Sequence, residues 1–355
     1  MLLTTHLGLE DVVAEELTER CAAEGVGLAQ VTRRPEGFAG RVRATVQAER
    51  AAALSLLAPM RSIHHALLPL AQCSFAAPSA VLPGLLERFE SLPVPDLEAQ
   101  PRPSFRVSCR RLGQHPFGSQ DVERAVGAVL QRRYGAPVSL EAWQVCVRIE
   151  VRGASVEVAL QPWRKARSLR HRYGYRQRTA LKATVAYAML RLGGGIDRPP
   201  ARLLDPFCGS GTLLMEAGAC WPGTRLFGSD VSGRAAEGAA ANLREAGLAE
   251  RSLVRRLDVH QAGSAWRRFA PFERIVANPP YGARLGRRIR FDRFYPRLLE
   301  ELSPLLAPGG TLSLLTLRPG LLLRAAGEHG LRLAHRRRIE MEPLTPTLLV
   351  FRRAV

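Results

Sequence analysis

Hydrophobic positions along the chain change their spacing several times, and the changes divide it into segments. Over residues 1–75 short alternating runs trade places with helical ones. Residues 1–5 read as a strand, and Leu9, Val12, Val13 and Leu17 recur three and four apart, which predicts a helix over 9–21. The run Arg41-Val42-Arg43-Ala44-Thr45-Val46 alternates with period two, as a half-buried strand does, and a helix over 48–57 and a strand over 63–70 follow. The order strand-helix-strand-strand-helix-strand predicts a small α+β unit of ferredoxin-like topology, which alone indicates no function.

A second unit is predicted over 76–160. Its entry, 78–103, holds six prolines around one short helix (82–89) and reads as loosely structured. A strand over 105–111 ends in Arg110 and Arg111. Ser119 is the expected N-cap of a helix whose stripe carries Val122, Ala125, Val126, Val129 and Tyr134. A hairpin of 145–151 and 155–160 turns about Gly153. From residue 183 onward apolar strands alternate with helices, which predicts a parallel, doubly wound α/β sheet. Seven strands are expected to begin near Ala201, Arg225, Ser252, Glu273, Gly310, Leu331 and Pro346.

Charge changes the picture. The 355 residues carry 51 basic and 32 acidic side chains, a formal charge of +19. Arginine accounts for all the basic residues except Lys165 and Lys182, a choice that a GC-rich genome can impose; the excess of cations is not so explained. A polyanion partner follows, with nucleic acid the first candidate. A membrane is a poorer candidate, since no helix presents one arginine face and no run of 18 apolar residues occurs. The cysteines never approach Cys-x-x-Cys spacing, which argues against zinc, thioredoxin-like chemistry and a disulfide framework. No metal is expected, and no leader sequence is evident, so a monomeric cytoplasmic protein is expected.

The basic residues concentrate between the two halves. Residues 161–182 hold Arg164, Lys165, Arg167, Arg170, Arg172, Arg176, Arg178 and Lys182, no acid, and three aromatic residues, Trp163, Tyr173 and Tyr175. Such a segment can neutralise phosphates and stack on unpaired bases, or serve as a solvated linker.

Candidate chemistry lies at the ends of the first four strands of the carboxy-terminal half. The first ends in Asp205-Pro206-Phe207-Cys208-Gly209-Ser210-Gly211-Thr212. Its glycines admit a ligand close to the backbone, but Leu214 breaks the dinucleotide fingerprint and no P-loop lysine follows. The acid four residues before Gly209 suits a cationic ligand. Asp230 ends the second strand, where a carboxylate can accept from ribose hydroxyls. Asp258 ends the third, placed either to accept from an adenine amine or to cap a helix. The fourth, Ile275-Val276-Ala277, runs into Asn278-Pro279-Pro280-Tyr281. Two prolines stiffen that loop, so Asn278 Oδ1 and the Pro279 carbonyl can grip the hydrogens of an exocyclic amine while Tyr281 offers a stacking face.

These four tips together make the carboxy-terminal half resemble the class I, Rossmann-like, S-adenosyl-L-methionine-dependent methyltransferases. The resemblance implies that Asp205, Phe207, Cys208, Gly209, Ser210, Gly211 and Thr212 contact the methionine part of that cofactor. It places Asp230 at the ribose and Asp258 at the adenine, with Val231 and Val259 beside them, makes Asn278, Pro279 and Tyr281 catalytic, and counts Asn278 among the cofactor contacts as well. Residues 104–160 resemble a THUMP RNA-binding domain through Ser104-Phe105-Arg106-Val107-Ser108, Arg111-Leu112-Gly113, Phe117-Gly118-Ser119 and the closing hairpin. Residues 1–71, with Gly8-Leu9-Glu10 opening a helix, resemble the ferredoxin-like domain that accompanies it. Ala180-Leu181-Lys182 matches the join to the first methyltransferase helix.

The whole resembles the bacterial and archaeal RNA guanine-N2 methyltransferases. That implies an RNA substrate, first of all tRNA methylated at position 6 of the acceptor stem, with 23S rRNA guanine or adenine-N6 methylation as alternatives. The implied domains are ferredoxin-like (1–75), THUMP (76–160), basic linker (161–182) and methyltransferase (183–355), with cofactor binding confined to the last and RNA affinity to the others. Arg110, Arg111, Arg164, Lys165, Arg170, Arg172, Arg176, Arg178 and Arg284 are the expected RNA contacts.

Overall fold

Two seven-stranded sheets carry the chain. The computed structural model describes residues 1–282, 289–341 and 343–354. The first sheet contains β1 (Leu2–Thr4), β2 (Gly27–Arg33), β3 (Arg41–Gln47) and β4 (His65–Ser74), with α1 (Glu10–Ala23) and α2 (Arg50–Leu57) between them. These strands lie in the order β2-β3-β1-β4, all neighbours antiparallel, which is the ferredoxin-like arrangement. The sheet does not stop there. β4 pairs along its far edge with β7 (Ser155–Leu160), and the order continues to β6 (Val145–Arg152) and β5 (Phe105–Leu112). One ten-residue strand thus serves two cores: Ala66 packs with α1 and α2, while Leu68 and Leu70 pack with α3 (Val81–Ser91) and α4 (Ser119–Tyr134).

Two local expectations change. The proline-rich entry is not loose, because Val81, Leu85, Phe89, Leu92, Val94 and Leu97 are all buried beneath α4 and β5–β7. Ser119 is the first helical residue rather than the cap. Gly118 holds that place, and its N–H donates to the Asp121 carboxylate at 2.8 Å.

The second sheet begins after α5 (Ala183–Leu192). Its strands are β8 (Arg202–Asp205), β9 (Arg225–Asp230), β10 (Ser252–Arg256), β11 (Phe272–Ala277), β12 (Leu306–Thr316), β13 (Leu331–Arg338) and β14 (Thr347–Arg353). The helices between them are α6 (Thr212–Cys220), α7 (Gly233–Glu245), α8 (Ala262–Trp266), α9 (Phe291–Leu302) and α10 (Pro319–Glu328). Period-two alternation sends Leu203 into one core with α5–α7 and its neighbour Leu204 into another with α8–α10, so both faces are covered. The strand order is β10-β9-β8-β11-β12-β14-β13. β14 runs antiparallel to both neighbours, so the sheet is mixed rather than wholly parallel. Among the described residues no helix lies between β13 and β14, and a direct return reverses the strand. The chain lays β8, β9 and β10 outward, then returns to put β11 on the other side of β8. That reversal opens a crevice between the tips of β8 and β11.

The two halves are tied together. Val13, Leu17 and Cys21 of α1 face their own core, while Leu9 and Val12 join the cluster of Val185 and Met189 from α5. Arg337 of β13 donates to both oxygens of Asp11 at 2.6 Å and to the Gly8 carbonyl at 2.8 Å. Gly8 sits at φ 93°, and a Cβ there would lie 2.3 Å from the Arg338 carbonyl, so the approach needs glycine.

The tightest tie is ionic. Glu216 of α6 is wholly buried and accepts from Arg61 Nε at 2.9 Å, Arg170 Nε at 2.8 Å and His171 Nε2. The Arg61 and Ser62 amides in turn donate to Glu16 of α1 at 2.8 and 2.9 Å. Burial alone would raise the Glu216 pKa, but His171, Arg170 and Arg61 outweigh it and hold it at about 2 instead of the ordinary 4.5. Its folded value lies below its unfolded one, so the contribution is complete above pH 4.5 and is lost as pH falls toward 2. Acid titration followed by near-ultraviolet circular dichroism should show this component. Glu216→Gln should remove it, and because the variant leaves buried cations unpaired it should cost about 3–5 kcal/mol at neutral pH.

Candidate active site

The turn after β8 is shaped by its own backbone. Asp205 is buried, and its Oδ1 accepts from the Phe207 N–H at 3.0 Å. The Cys208 N–H donates to the Ser229 carbonyl on β9 at 2.8 Å, and the Gly211 N–H to the Cys208 carbonyl at 2.7 Å. Gly209 (φ 53°) and Gly211 (φ 79°) take left-handed conformations that L side chains rarely adopt. A Cβ on Gly211 would press on Ala239 of α7 at 3.4 Å, and one on Gly209 would stand 3.0 Å from Gln177 Oε1. The turn delivers the chain to the N-terminus of α6, whose unpaired amides favour a carboxylate ligand.

The neighbouring tips complete the edge. Asp230 Oδ2 accepts from the Gly209 N–H at 3.1 Å and Oδ1 from the Ser232 N–H at 2.9 Å, so the second tip also braces the glycine turn. Val231 beside it is 64% exposed, an apolar surface facing solvent at a polar tip. Asp258 Oδ1 accepts from the His260 N–H at 3.0 Å and caps the turn Val259–Gln261, which is the capping role weighed for it; each carboxylate oxygen can still accept elsewhere. The Val259 side chain is buried with Phe227 and Trp266.

Charge in this cluster is unevenly priced by burial. Burial, with repulsion from Asp230 added, pushes the Asp205 carboxyl up to about 8 against the opposing Phe207 N–H. A cation placed beside it restores the carboxylate. Burial likewise pushes the Cys208 thiol well up, which removes it as a nucleophile.

Across the switch point, Asn278 follows β11 and Pro279 is buried. The Tyr281 hydroxyl donates to Asn278 Oδ1, and the ring packs against the core of α5–α7. Burial pushes that phenol up, so it stays a donor. Its hydrogen bond takes one lone pair of Oδ1 and turns the amide to a set direction; the other lone pair is left for an amine hydrogen.

The expected RNA contacts separate. Arg110, Lys165, Arg172, Arg176 and Arg178 are exposed. Arg111 bends back onto the Gly113 carbonyl and His115 Nδ1, at 3.2 and 3.1 Å. Arg164 is exposed but anchored on the Trp143 carbonyl at 2.5 Å. Arg170 is placed differently: its donors go to Glu216, the Arg167 carbonyl and the Arg61 carbonyl, so it belongs to the interdomain knot and not to a phosphate. The aromatic residues of the connector are also occupied. Trp163 packs on the amino-terminal core, the Tyr173 hydroxyl meets Thr212 Oγ1 at 3.0 Å, and Tyr175 lies where a Cβ on Gly238 would be 2.1 Å from its ring. Arg284 lies outside the described residues.

Two residues escaped sequence reading. Asn242 and Glu216 sit on helices whose buried residues are mostly apolar, Thr212 apart, and a polar residue inside such a stripe was the available signal. Among the described residues no cluster of His, Cys, Asp and Glu could hold a metal ion, and no helix is long and apolar enough to cross a membrane.

Comparison with known proteins decides what this edge belongs to. Residues 170–346 match the family model described as RMKL-like, methyltransferase domain, and residues 82–161 match the THUMP domain. Over 349 residues the chain is 39% identical to the tRNA (guanine(6)-N2)-methyltransferase of Thermus thermophilus, covering 98% of this chain and 97% of that one. This chain belongs to the THUMP-domain RNA guanine-N2 methyltransferases. It is an enzyme, and its methyl donor is S-adenosylmethionine. A tRNA (guanine(6)-N2)-methyltransferase of Archaeoglobus fulgidus is 26% identical over 280 residues, covering 70% of this chain and 69% of that one. The crystal structure of TrmN from Thermus thermophilus superposes with a TM-score of 0.79 at 35% identity, covering 99% of this chain and 98% of that one. The methyltransferase match starts at residue 170, inside the basic connector, which agrees with the contacts that segment makes.

The residues present suit the cofactor: a buried acid for an ammonium, left-handed glycines, and acids on the next two tips. A ligand ammonium beside Asp205 favours the charged carboxyl, so binding releases a proton below about pH 8. Affinity for S-adenosylhomocysteine should therefore rise from pH 6 to pH 8, and Asp205→Asn should flatten the profile. Calorimetry in buffers of different ionisation enthalpy measures both the profile and the proton count; a flat profile in the parent would remove Asp205 from the ammonium site.

Proposed function

We propose that the enzyme methylates the N2 amine of guanosine 6 in the acceptor stem of tRNA. The observation that carries this is the end-to-end similarity to a guanine(6)-N2 enzyme, joined to an Asn-Pro-Pro-Tyr loop across the switch point from the cofactor tips. S-adenosylmethionine, when bound, supplies the methyl group. Asp205 and the 207–212 turn hold its methionine part, Asp230 its ribose, and Asp258, with Val231 and the Val259 backbone, its adenine.

A guanine N2 amine is a weak nucleophile because its lone pair is delocalised into the ring. Asn278 Oδ1 and the Pro279 carbonyl accept its two hydrogens, aim the lone pair and stabilise positive charge as it develops. No strong base is needed, since the methylated nitrogen is acidic until it sheds a proton to solvent. Tyr281 holds the Asn278 amide and presents the exposed part of its ring to the base, which must leave its stack to enter. Arg110, Arg111, Arg164, Lys165, Arg172, Arg176 and Arg178 contact the RNA backbone, with Arg170 omitted. The enzyme acts in this reading as a cytoplasmic monomer.

The test is incubation with labelled S-adenosylmethionine and either tRNA transcripts or deproteinised ribosomal RNA, followed by nucleoside analysis. N2-methylguanosine at position 6 of tRNA is expected; N6-methyladenosine, or label in ribosomal RNA alone, contradicts the reading. Asn278→Ala should bind S-adenosylhomocysteine normally and lose about 100- to 1,000-fold in the rate of transfer, measured in single turnovers.

A further inference from the structure

Over residues 171–178 the connector alternates strictly between half-buried and exposed positions. His171, Tyr173, Tyr175 and Gln177 are half-buried, while Arg172, Arg176 and Arg178 are exposed. One side of this strap is a row of exposed arginines, with the Arg176 guanidinium lying over the Tyr173 ring at 5.3 Å from its centroid. The other is bolted to the cofactor turn. The Gln177 N–H donates to Ser210 Oγ at 2.8 Å, and the Tyr173 hydroxyl meets Thr212 Oγ1. The central bolt is Asn242 of α7, 1% exposed and bonded on both sides of its amide. Its Oδ1 accepts from the Gly174 and Tyr175 N–H groups at 2.9 and 3.1 Å, and its Nδ2 donates to the carbonyls of Tyr175 and Ser210 at 2.7 and 2.9 Å. A single buried amide thus joins the strap to the glycine turn.

We propose that Asn242 is a positioning residue that couples RNA contact on the strap to cofactor affinity at the 209–212 turn. A phosphate on the exposed arginines favours the seated strap, and the seated strap holds the turn in its binding conformation. By linkage each ligand then raises the affinity for the other by the same factor. The inference rests on those arginines meeting RNA, but not on which nucleotide is methylated. Nucleoside analysis can therefore fail for position 6 while the coupling stands.

The experiment is calorimetric titration of the full chain with S-adenosylhomocysteine, with and without a saturating tRNA transcript. The parent should bind S-adenosylhomocysteine about fivefold or more tighter with the transcript present. Asn242→Asp keeps an oxygen for the Gly174 and Tyr175 N–H groups and removes the NH2 that donates to the Tyr175 and Ser210 carbonyls. It should weaken binding about tenfold or more, leave the transcript affinity measured without cofactor within about twofold, and abolish the coupling. In steady state its KM for S-adenosylmethionine should rise with kcat little changed, a split that general destabilisation would not produce. Tyr173→Phe, which deletes one hydroxyl at Thr212, should weaken binding a few-fold in the same direction, and it decides the matter if Asn242→Asp fails to fold. Equal S-adenosylhomocysteine affinity with and without transcript in the parent would overturn the coupling. Parent-like affinity in the folded variants would overturn the role of Asn242.

Discussion

One buried carboxylate holds the molecule together as a working unit. Glu216 stands on the first helix after the glycine turn, and its oxygens are taken by Arg61 from the amino-terminal unit and by Arg170 and His171 from the connector. A buried acid must be paired to remain charged, so each of these segments has to be in place for the others to be stable. The helix that begins at the cofactor turn is therefore also the anchor of the RNA-facing half. Leu9 and Val12, packed among α5 residues, add apolar area to the same joint. A division of labour in which residues 1–160 handle RNA and the rest handles cofactor describes which surface does what, but not two separable bodies.

The site follows from topology plus a few exceptions to apolar patterning. Strands buried on both faces end in polar residues, and the reversal of strand order puts Asp205, Asp230 and Asp258 on one side of a crevice and Asn278 on the other. Several polar groups there have two duties. Asp230 braces the glycine turn, Asp258 caps its own turn, and Asn278 is held by Tyr281. These bonds hold the three side chains in set orientations and leave further lone pairs for a ligand, which is how a preorganised site is built.

Much of this was legible in the chain because burial writes strong patterns. The runs ending at Asp205, Asp230 and Asn278 are apolar on both faces, so their ends stand out. The ferredoxin-like order was legible from Leu9, Val12, Val13 and Leu17 and the alternation at 41–46, although the second strand, Gly27–Arg33, has no clear period and could not be located. That β4 belongs to two units was hidden, since a strand's second neighbour leaves no mark on its own alternation. Charged residues misled in one consistent way. Arg170 looks like its exposed neighbours, yet a guanidinium can be buried when three acceptors await it. Tyr173 and Tyr175 read as stacking platforms until Thr212 and Gly238 are seen to claim them. In each case the missing information was a partner far away in sequence.

The proposed coupling makes the RNA-facing and cofactor-facing surfaces one body joined through the connector. Hydrogen exchange on the full chain, with and without a tRNA transcript and with no cofactor added, tests this most directly. The transcript should slow exchange of amides in residues 207–212 and 173–177 as well as on the basic surface. Slowing restricted to the amino-terminal 160 residues and the exposed arginines, with the glycine turn unchanged, would contradict it.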